Sequence, residues 1–265
     1  MSASDFVELA WRGRPLRIEV DRIGDASSTL PVVVFLHEGL GSVAMWKDFP
    51  AAFCNANGLS GFVFSRYGYG RSTPRPPPEH WAPDFMHAQA HQVLPALFER
   101  AGIVRPWLFG HSDGASIALL HAARHPVAGV VAVAPHLFVE DVSIDSIEKA
   151  RDAYESTDLR ARLGRYHDDA DSAFRGWNDA WLSPGFRDWN IEADIATITC
   201  PVLAVQGDGD EYGTLEQIRA IARRLPKTRL LVIPECGHSP HRDQPALLVR
   251  EAGRFIREHR GPEPH

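Results

Sequence analysis

Apolar residues in this chain gather into short runs punctuated by glycine and proline, and the period inside each run separates strands from helices. Val32 to Leu36 follows Pro31 as a continuous apolar run. Gly61 to Ser65 and Val127 to Ala134 read the same way. Continuous apolar runs of that length suit strands buried on both faces of a parallel sheet. Trp107 to Phe109, Pro201 to Gln206 and Arg229 to Ile233 predict three further strands. Between them apolar positions recur at helical spacing: Met45, Phe49, Ala52 and Phe53, stopping at Asn57-Gly58, and Ile117, Leu119, Leu120 and Ala123. Leu215, Ile218, Ile221, Ala222 and Leu225 form another such stripe. A further helix carries Phe85, Ala88, Val93, Leu94, Leu97 and Phe98, with Asp84 as its cap and Pro95 as a kink or an early boundary. Asp243 and Pro245 open a last helix through Leu248, Ala252 and Phe255. Residues 6 to 23 alternate loosely around Gly13-Arg14-Pro15 and predict an opening hairpin, while the prolines between Pro74 and Pro83 forbid regular structure there.

Strand and helix in alternation predict an α/β fold, a mostly parallel twisted sheet with helices on both faces. The alternation breaks after Pro135. From Leu137 to about Asp194 charges come at short spacing, no strand is convincing, and Trp177, Trp181 and Trp189 cluster. The organisation predicted is therefore a core of residues 1–136 and 195–265 interrupted by a helical lid insertion at 137–194. No internal repeat is present.

Composition narrows the class of partner. A chain of 265 residues with 44% hydrophobic content can bury one large core. A net charge of -6, with no block of Lys and Arg, argues against a nucleic-acid groove. Cys54, Cys200 and Cys236 are odd in number and unpaired in spacing, so a reducing compartment and simple packing roles are expected. The start, Met1 to Asp5, is short and polar, without a signal-peptide core, and no run reaches membrane-spanning length. These features predict a cytoplasmic protein that meets a small-molecule substrate, not a membrane. Monomer and homodimer both stay open.

Chemistry concentrates at Gly110-His111-Ser112-Asp113-Gly114, where an apolar strand stops and a helix begins. In a G-x-S-x-G turn the serine occupies a strained backbone conformation and needs small neighbours. Ser112, Asp210 and His238 each follow a predicted strand, and in a parallel sheet such loops meet on one edge. A serine hydroxyl becomes nucleophilic when an imidazole takes its proton and a carboxylate holds the imidazole's tautomer. Ser112 is thus the candidate nucleophile, His238 the base and Asp210 the orienting acid. Asp208, Glu211, Glu140 and Asp141 are rival acids. His238, His241 and Asp243 have a spacing that could suggest a metal site, but no further ligand cluster accompanies them, and neither metal nor cofactor is expected.

With these residues in view, the chain resembles the α/β-hydrolase superfamily over almost its whole length. The likeness rests on His37-Glu38-Gly39-Leu40-Gly41, Arg66-Tyr67-Gly68-Tyr69-Gly70-Arg71-Ser72, the serine turn, Gly207-Asp208-Gly209-Asp210 and Gly237-His238. It is similar to capped carboxylesterases, meta-cleavage product C–C hydrolases and biphenyl-hydrolase-like enzymes. It departs from them at Glu38, where glycine is usual, and at Ala115. The resemblance implies an α/β-hydrolase fold, a serine esterase mechanism and an oxyanion hole. Its donors would be the backbone N–H of Asp113 and that of Gly39, with Leu40 as the near alternative. A C–C hydrolase would instead need a cation for the substrate carboxylate, from Arg66, Arg71, Arg175 or Arg187, and a small-molecule receptor on the same fold would bind without turnover. Glu38 and Asp113 would lie near the nucleophile, either neutralised by Arg66, Arg71 or backbone donors or receiving a cationic substrate group. His111 and His136 are expected to line the site or support it. Trp177, Trp181 and Trp189 either wall an apolar pocket or dock the insertion.

Overall fold

The computed structural model describes residues 5–24 and 30–260. The expected polar start at Met1–Ser4 and the outermost ends of the core segments lie outside the described residues. Strands β1 (Asp5–Trp11) and β2 (Arg14–Ile23) form the opening hairpin. They join β3 (Val32–Leu36), β4 (Ser60–Phe64), β5 (Trp107–His111), β6 (Gly129–Val133), β7 (Val202–Gly207) and β8 (Arg229–Ile233) in one sheet. The order is β1-β2-β4-β3-β5-β6-β7-β8, parallel from β4 to β8. The chain steps from β3 to β4 on one side and returns to β5 on the other, so the direction of winding reverses beside β3. Loops after β3 and β5 therefore diverge and leave a crevice at the carboxyl edge.

Side chains along each strand point alternately to the two faces, and the burial pattern follows that period. Val33, Phe35, Phe109, Val131, Val133, Leu203 and Val205 face one apolar layer with α1 (Phe49–Asn57) and α10 (Pro245–Glu258). Val34, Leu36, Leu108, Val130, Ala132 and Ala204 face the other. That second layer contains α2 (Phe85–Ala88), α3 (Leu94–Ala101) and α4 (Asp113–Ala122). Each fully buried Phe or Leu there contributes roughly 1.5–3 kcal/mol. Helix α4 departs from the one-sided stripe its sequence suggests. Every residue from Asp113 to His121 is buried, polar Ser116 and His121 included, because the sheet lies on one side and other helices on the rest.

Between β6 and β7 the chain is helical: α5 (Asp141–Ser156), α6 (Leu159–Leu163) and α7 (Ala170–Trp181), followed by short 3-10 turns at Pro184–Phe186 and Asp194–Thr197. Asp169 caps α7 by accepting the Ser172 N–H at 2.9 Å, and Tyr154 stacks on Phe174 with centroids 3.8 Å apart, tying α5 to α7. Helix α8 (Glu216–Arg224) precedes β8, and the short α9 (Pro240–Asp243) precedes α10.

Several boundaries move from their sequence positions. The helix expected from Met45 is a single 3-10 turn, Ala44–Trp46, and α1 proper starts at Phe49 with Pro50 in its first turn. Asp84 sits at the cap of α2 without a side-chain hydrogen bond. A π-turn at Gln89–Val93 ends there, and Pro95 lies in the first turn of α3, so the proline marks a boundary, where its missing N–H costs nothing. Asp243 ends α9 instead of opening the last helix. Its carboxylate accepts the Gly237 N–H at 3.0 Å, which braces the loop before His238. Among the described residues no helix is long and apolar enough to cross a membrane.

Candidate active site

Ser112 stands between β5 and α4 with φ 54° and ψ -122°. That backbone conformation costs a non-glycine residue about 1–3 kcal/mol and persists only where the surroundings enforce it. They do so here. The Ser112 N–H donates to the Val133 carbonyl at 2.9 Å, while a Cβ on Gly110 would strike the backbone of Gly114 and Ala115 and one on Gly114 would strike the Leu36 carbonyl. Side chains at either flank would push α4 off the sheet and relax the turn.

The serine hydroxyl lies 2.9 Å from His238 Nε2, and His238 Nδ1 lies 2.8 Å from Asp210 Oδ1. Because a carboxylate can only accept, Nδ1 carries the proton and Nε2 is left to accept from Ser112. Asp210 also accepts the Tyr212 N–H at 2.8 Å and an amide N–H of Gln206 at 3.1 Å. Burial works to raise its pKa, but the His238 hydrogen bond and charge and the Tyr212 N–H outweigh that and lower it. The rival acids go elsewhere. Glu211 accepts the backbone N–H of His238 at 3.0 Å, Glu140 accepts from Thr214 and Gln217, Asp141 pairs with Arg187 at the surface, and Asp208 is exposed.

His111 supports the base from below. Its Nε2–H donates to the His238 carbonyl at 2.7 Å, and its Nδ1 faces Glu38 Oε2 at 3.5 Å. Burial would raise the Glu38 pKa, yet His111, with His241 and His37, holds it well below the carboxylate range. The loop that carries Glu38, Gly39 and Leu40 is braced by three side chains. His37 Nδ1–H donates to the Glu38 carbonyl at 2.7 Å, Arg66 Nη2 donates to the same oxygen at 2.8 Å, and His167 Nε2–H donates to the Leu40 carbonyl at 2.9 Å. His167 carried no signal in the sequence for this task, since the contact joins positions 127 apart.

Asp113 is fully buried. Burial raises its pKa, opposed by Arg66, whose Nη2 is 3.7 Å from Oδ2, and by Trp181, whose Nε1–H donates to Oδ1 at 3.1 Å. Glu38 and Asp113 thus have internal cationic or donor partners, Arg66 being the one that the residue types suggested. His136 stands 5.8 Å from His238 and 4.9 Å from Trp181, ring to ring, and burial, with the charge of His238, pushes its pKa down to about 3.

Above Ser112 lies a cavity of about 230 Å³. Glu38, Gly39, Leu40, His111, Asp113, His136, Trp177, Trp181 and His238 line it, as does Ile147, with Glu211, Tyr212, Ser239 and Arg242 completing the wall. Trp189 does not line it and stacks on Phe186 at 5.1 Å, so the tryptophans divide between lining and docking. Asp113 is the first residue of α4, where a backbone N–H has no intrahelical acceptor, and Gly39 and Leu40 border the same space. None of the four arginines considered for a carboxylate site lines the cavity. Arg66 is held by Glu38 and Asp113, Arg175 pairs with Glu155, Arg187 pairs with Asp141, and Arg71 is exposed. Arg242, four residues past His238 on α9, is the lining cation instead. Among the described residues no group of three or more His, Cys, Asp or Glu side chains gathers to hold a metal. His241 packs on His111 and Trp46, and Asp243 on Gly237.

A model of the alpha/beta hydrolase family matches residues 33–252. The chain belongs to this family. Its eight-stranded sheet is the one described above. The sn-1-specific diacylglycerol lipase ABHD11 of Mus musculus is 29% identical over 130 residues, 49% of this chain and 38% of that protein. The chain thus spans under two-fifths of the length of that curated relative. Among solved structures, a thermophilic esterase from Thermogutta terrifontis superposes with a TM-score of 0.71 at 18% identity, covering 98% of this chain and 100% of the esterase. The enol-lactonase from Burkholderia xenovorans superposes with a TM-score of 0.71 at 17% identity, covering 94% and 99%. At such identities the likeness speaks for the fold.

Proposed function

We propose that this hydrolase cleaves small carboxylic esters through an acyl-enzyme formed on Ser112. The observation that carries the reading is the unbroken chain of hydrogen bonds from Ser112 Oγ through His238 to Asp210 at the floor of the cavity. Ser112 Oγ attacks the ester carbonyl carbon and its proton passes to His238 Nε2, leaving an imidazolium whose Nδ1–H stays on Asp210. The carbonyl oxygen takes the negative charge and is met by the backbone N–H groups of Asp113 and Gly39, with Leu40 as the alternative second donor. Loss of one preset donor of this kind costs about 2.7–4 kcal/mol in a serine protease. Collapse of the intermediate breaks the bond to the alcohol oxygen, which leaves with the proton from Nε2. Water then attacks the acyl carbon, gives its proton to the same nitrogen, and releases the acid and the free serine.

Residues 137–194 act in this reading as a lid. They supply Ile147, Trp177 and Trp181 to the cavity and so shape the acyl site. Arg66, Arg71, Arg175 and Arg187, the cations named for a C–C hydrolase, all stay out of the cavity, and Arg242 is the one that lines it. A receptor role would require the hydrogen-bonded chain to be idle. A fluorophosphonate probe tests the reading: it labels the wild-type protein and spares Ser112→Ala, and the wild type turns over many equivalents of p-nitrophenyl ester. Equal labelling of both proteins would overturn it, and binding without turnover would favour the receptor.

A further inference from the structure

The charged groups around the cavity divide into those with partners and one without. Glu38 lies beside His111, Asp113 is shared by Trp181 and Arg66, Asp210 by His238, Gln206 and Tyr212, and Glu211 takes the His238 N–H. Arg242 differs. Its backbone N–H donates to the Ser239 carbonyl at 2.8 Å, but among the described residues its exposed guanidinium makes no hydrogen bond or ion pair. An unpartnered arginine is ordinary on a protein surface. At the rim of a cavity whose carboxylates are already engaged, it leaves one unmatched positive charge facing whatever fills the space. Arg242 borders the cavity beside Tyr212, whose ring packs 4.7 Å from that of His238. A second donor without a protein partner also borders the cavity. The indole N–H of Trp177, which can only donate, lines the cavity against Gly39 and makes no hydrogen bond among the described residues.

We propose that the substrate carries a carboxylate away from the scissile ester and that Arg242 binds it, so that half-esters of short dicarboxylic acids are preferred over neutral esters of the same length. The proposal rests on the esterase reading and deepens it. Guanidinium and carboxylate match in shape and can form two parallel hydrogen bonds. A neutral acyl chain would leave the arginine's charge unanswered at the cavity mouth. A cationic substrate group, such as an amino-acid ester would bring, meets repulsion there instead.

The test compares kcat/KM for p-nitrophenyl hemiglutarate and p-nitrophenyl valerate, which differ mainly in the terminal carboxylate, in wild type, Arg242→Gln, Arg242→Lys and Ser112→Ala. Wild type is expected to prefer the hemiglutarate by on the order of tenfold, the scale of one charge-assisted contact. Arg242→Gln abolishes the preference through KM for the charged ester, and Arg242→Lys restores part of it. The wild-type preference also shrinks between about 0.01 and 1 M salt, as the screening length falls from about 30 to 3 Å. An unchanged ratio in Arg242→Gln, or no preference in wild type, overturns the proposal while leaving the esterase reading intact. Failure of both esters to show Ser112-dependent hydrolysis overturns the esterase reading itself.

Discussion

Two walls face each other across the cavity, and they are held by different physics. One wall is the carboxyl edge of the sheet, where Ser112, Asp210 and His238 sit in turns clamped by backbone hydrogen bonds and by glycines with no room for a Cβ. The other is the helical stretch between β6 and β7, which presents Ile147, Trp177 and Trp181 and is fixed by aromatic stacking and a few long-range side-chain bonds. The first wall is rigid because turn geometry allows few alternatives. The second can exchange one side chain for another of similar volume, since packing tolerates volume-conserving changes at a cost usually below about 1.5 kcal/mol.

The sharpest break of the first wall is Asp210→Asn. It leaves the shape of the site but offers His238 the wrong tautomer, and kcat should fall on the order of 10⁴-fold, measured with a p-nitrophenyl ester. Glu211→Gln, which keeps an acceptor for the His238 N–H, should fall far less; an equal loss in both would make Glu211 a partner in the reaction. Gly114→Val comes next. The new side chain meets the Leu36 carbonyl and should cost about 3 kcal/mol of stability in urea unfolding, whereas Trp177→Phe on the second wall, where no backbone is displaced, should cost less.

Trp181→Phe probes the place where the walls touch. It removes the N–H that Asp113 Oδ1 accepts and leaves that oxygen buried and unsatisfied, at about 1–3 kcal/mol. Asp113→Asn in the same chain should recover part of the loss, and strict additivity of the two changes would show that the contact carries little.

The effect of pH is spread over several units instead of resting on one contact. Burial depresses His136 and His241 to about 3 and His121 to about 4, while the unfolded chain protonates each near 6.5. Below that value the unfolded state binds more protons than the folded one. Stability should therefore be full above about pH 6.5 and decline toward pH 4 by up to about 1.4 kcal/mol per pH unit for each histidine. Denaturant midpoints measured from pH 7.5 to 4.5 in wild type and His121→Gln would test this, with a shallower slope expected in the variant.

The alternation of apolar runs and helical stripes was enough to give the sheet, because buried parallel strands and amphipathic helices leave distinct periods in a sequence. It also put Ser112, Asp210 and His238 on one edge, and the structure brings them within hydrogen-bond distance. Periodicity did worse where local geometry departs from the regular helix, as at the single turn of Ala44–Trp46 and the π-turn before Pro95. It was silent on α4, whose burial on all sides depends on neighbours far along the chain. The sequence reading chose Asp210 over its rivals Asp208 and Glu211, but only the structure separates them, since neighbours in one loop differ in which way their side chains turn.

The sequence alone determined the order of elements and the place where strand ends deliver a serine, an acid and a histidine, because these follow from periodicity and from the one-directional edge of a parallel sheet. Only the tertiary structure decided that Arg66 and Trp181 take up Asp113, that His111 spans Glu38 and the His238 carbonyl, and that among the described residues the Arg242 guanidinium, alone of the cavity's charged side chains, makes no hydrogen bond or ion pair. Those contacts join residues 47 to 127 positions apart or depend on a contact not being made. Coulombic and hydrogen-bond energies depend on distances in space, which a linear pattern does not record.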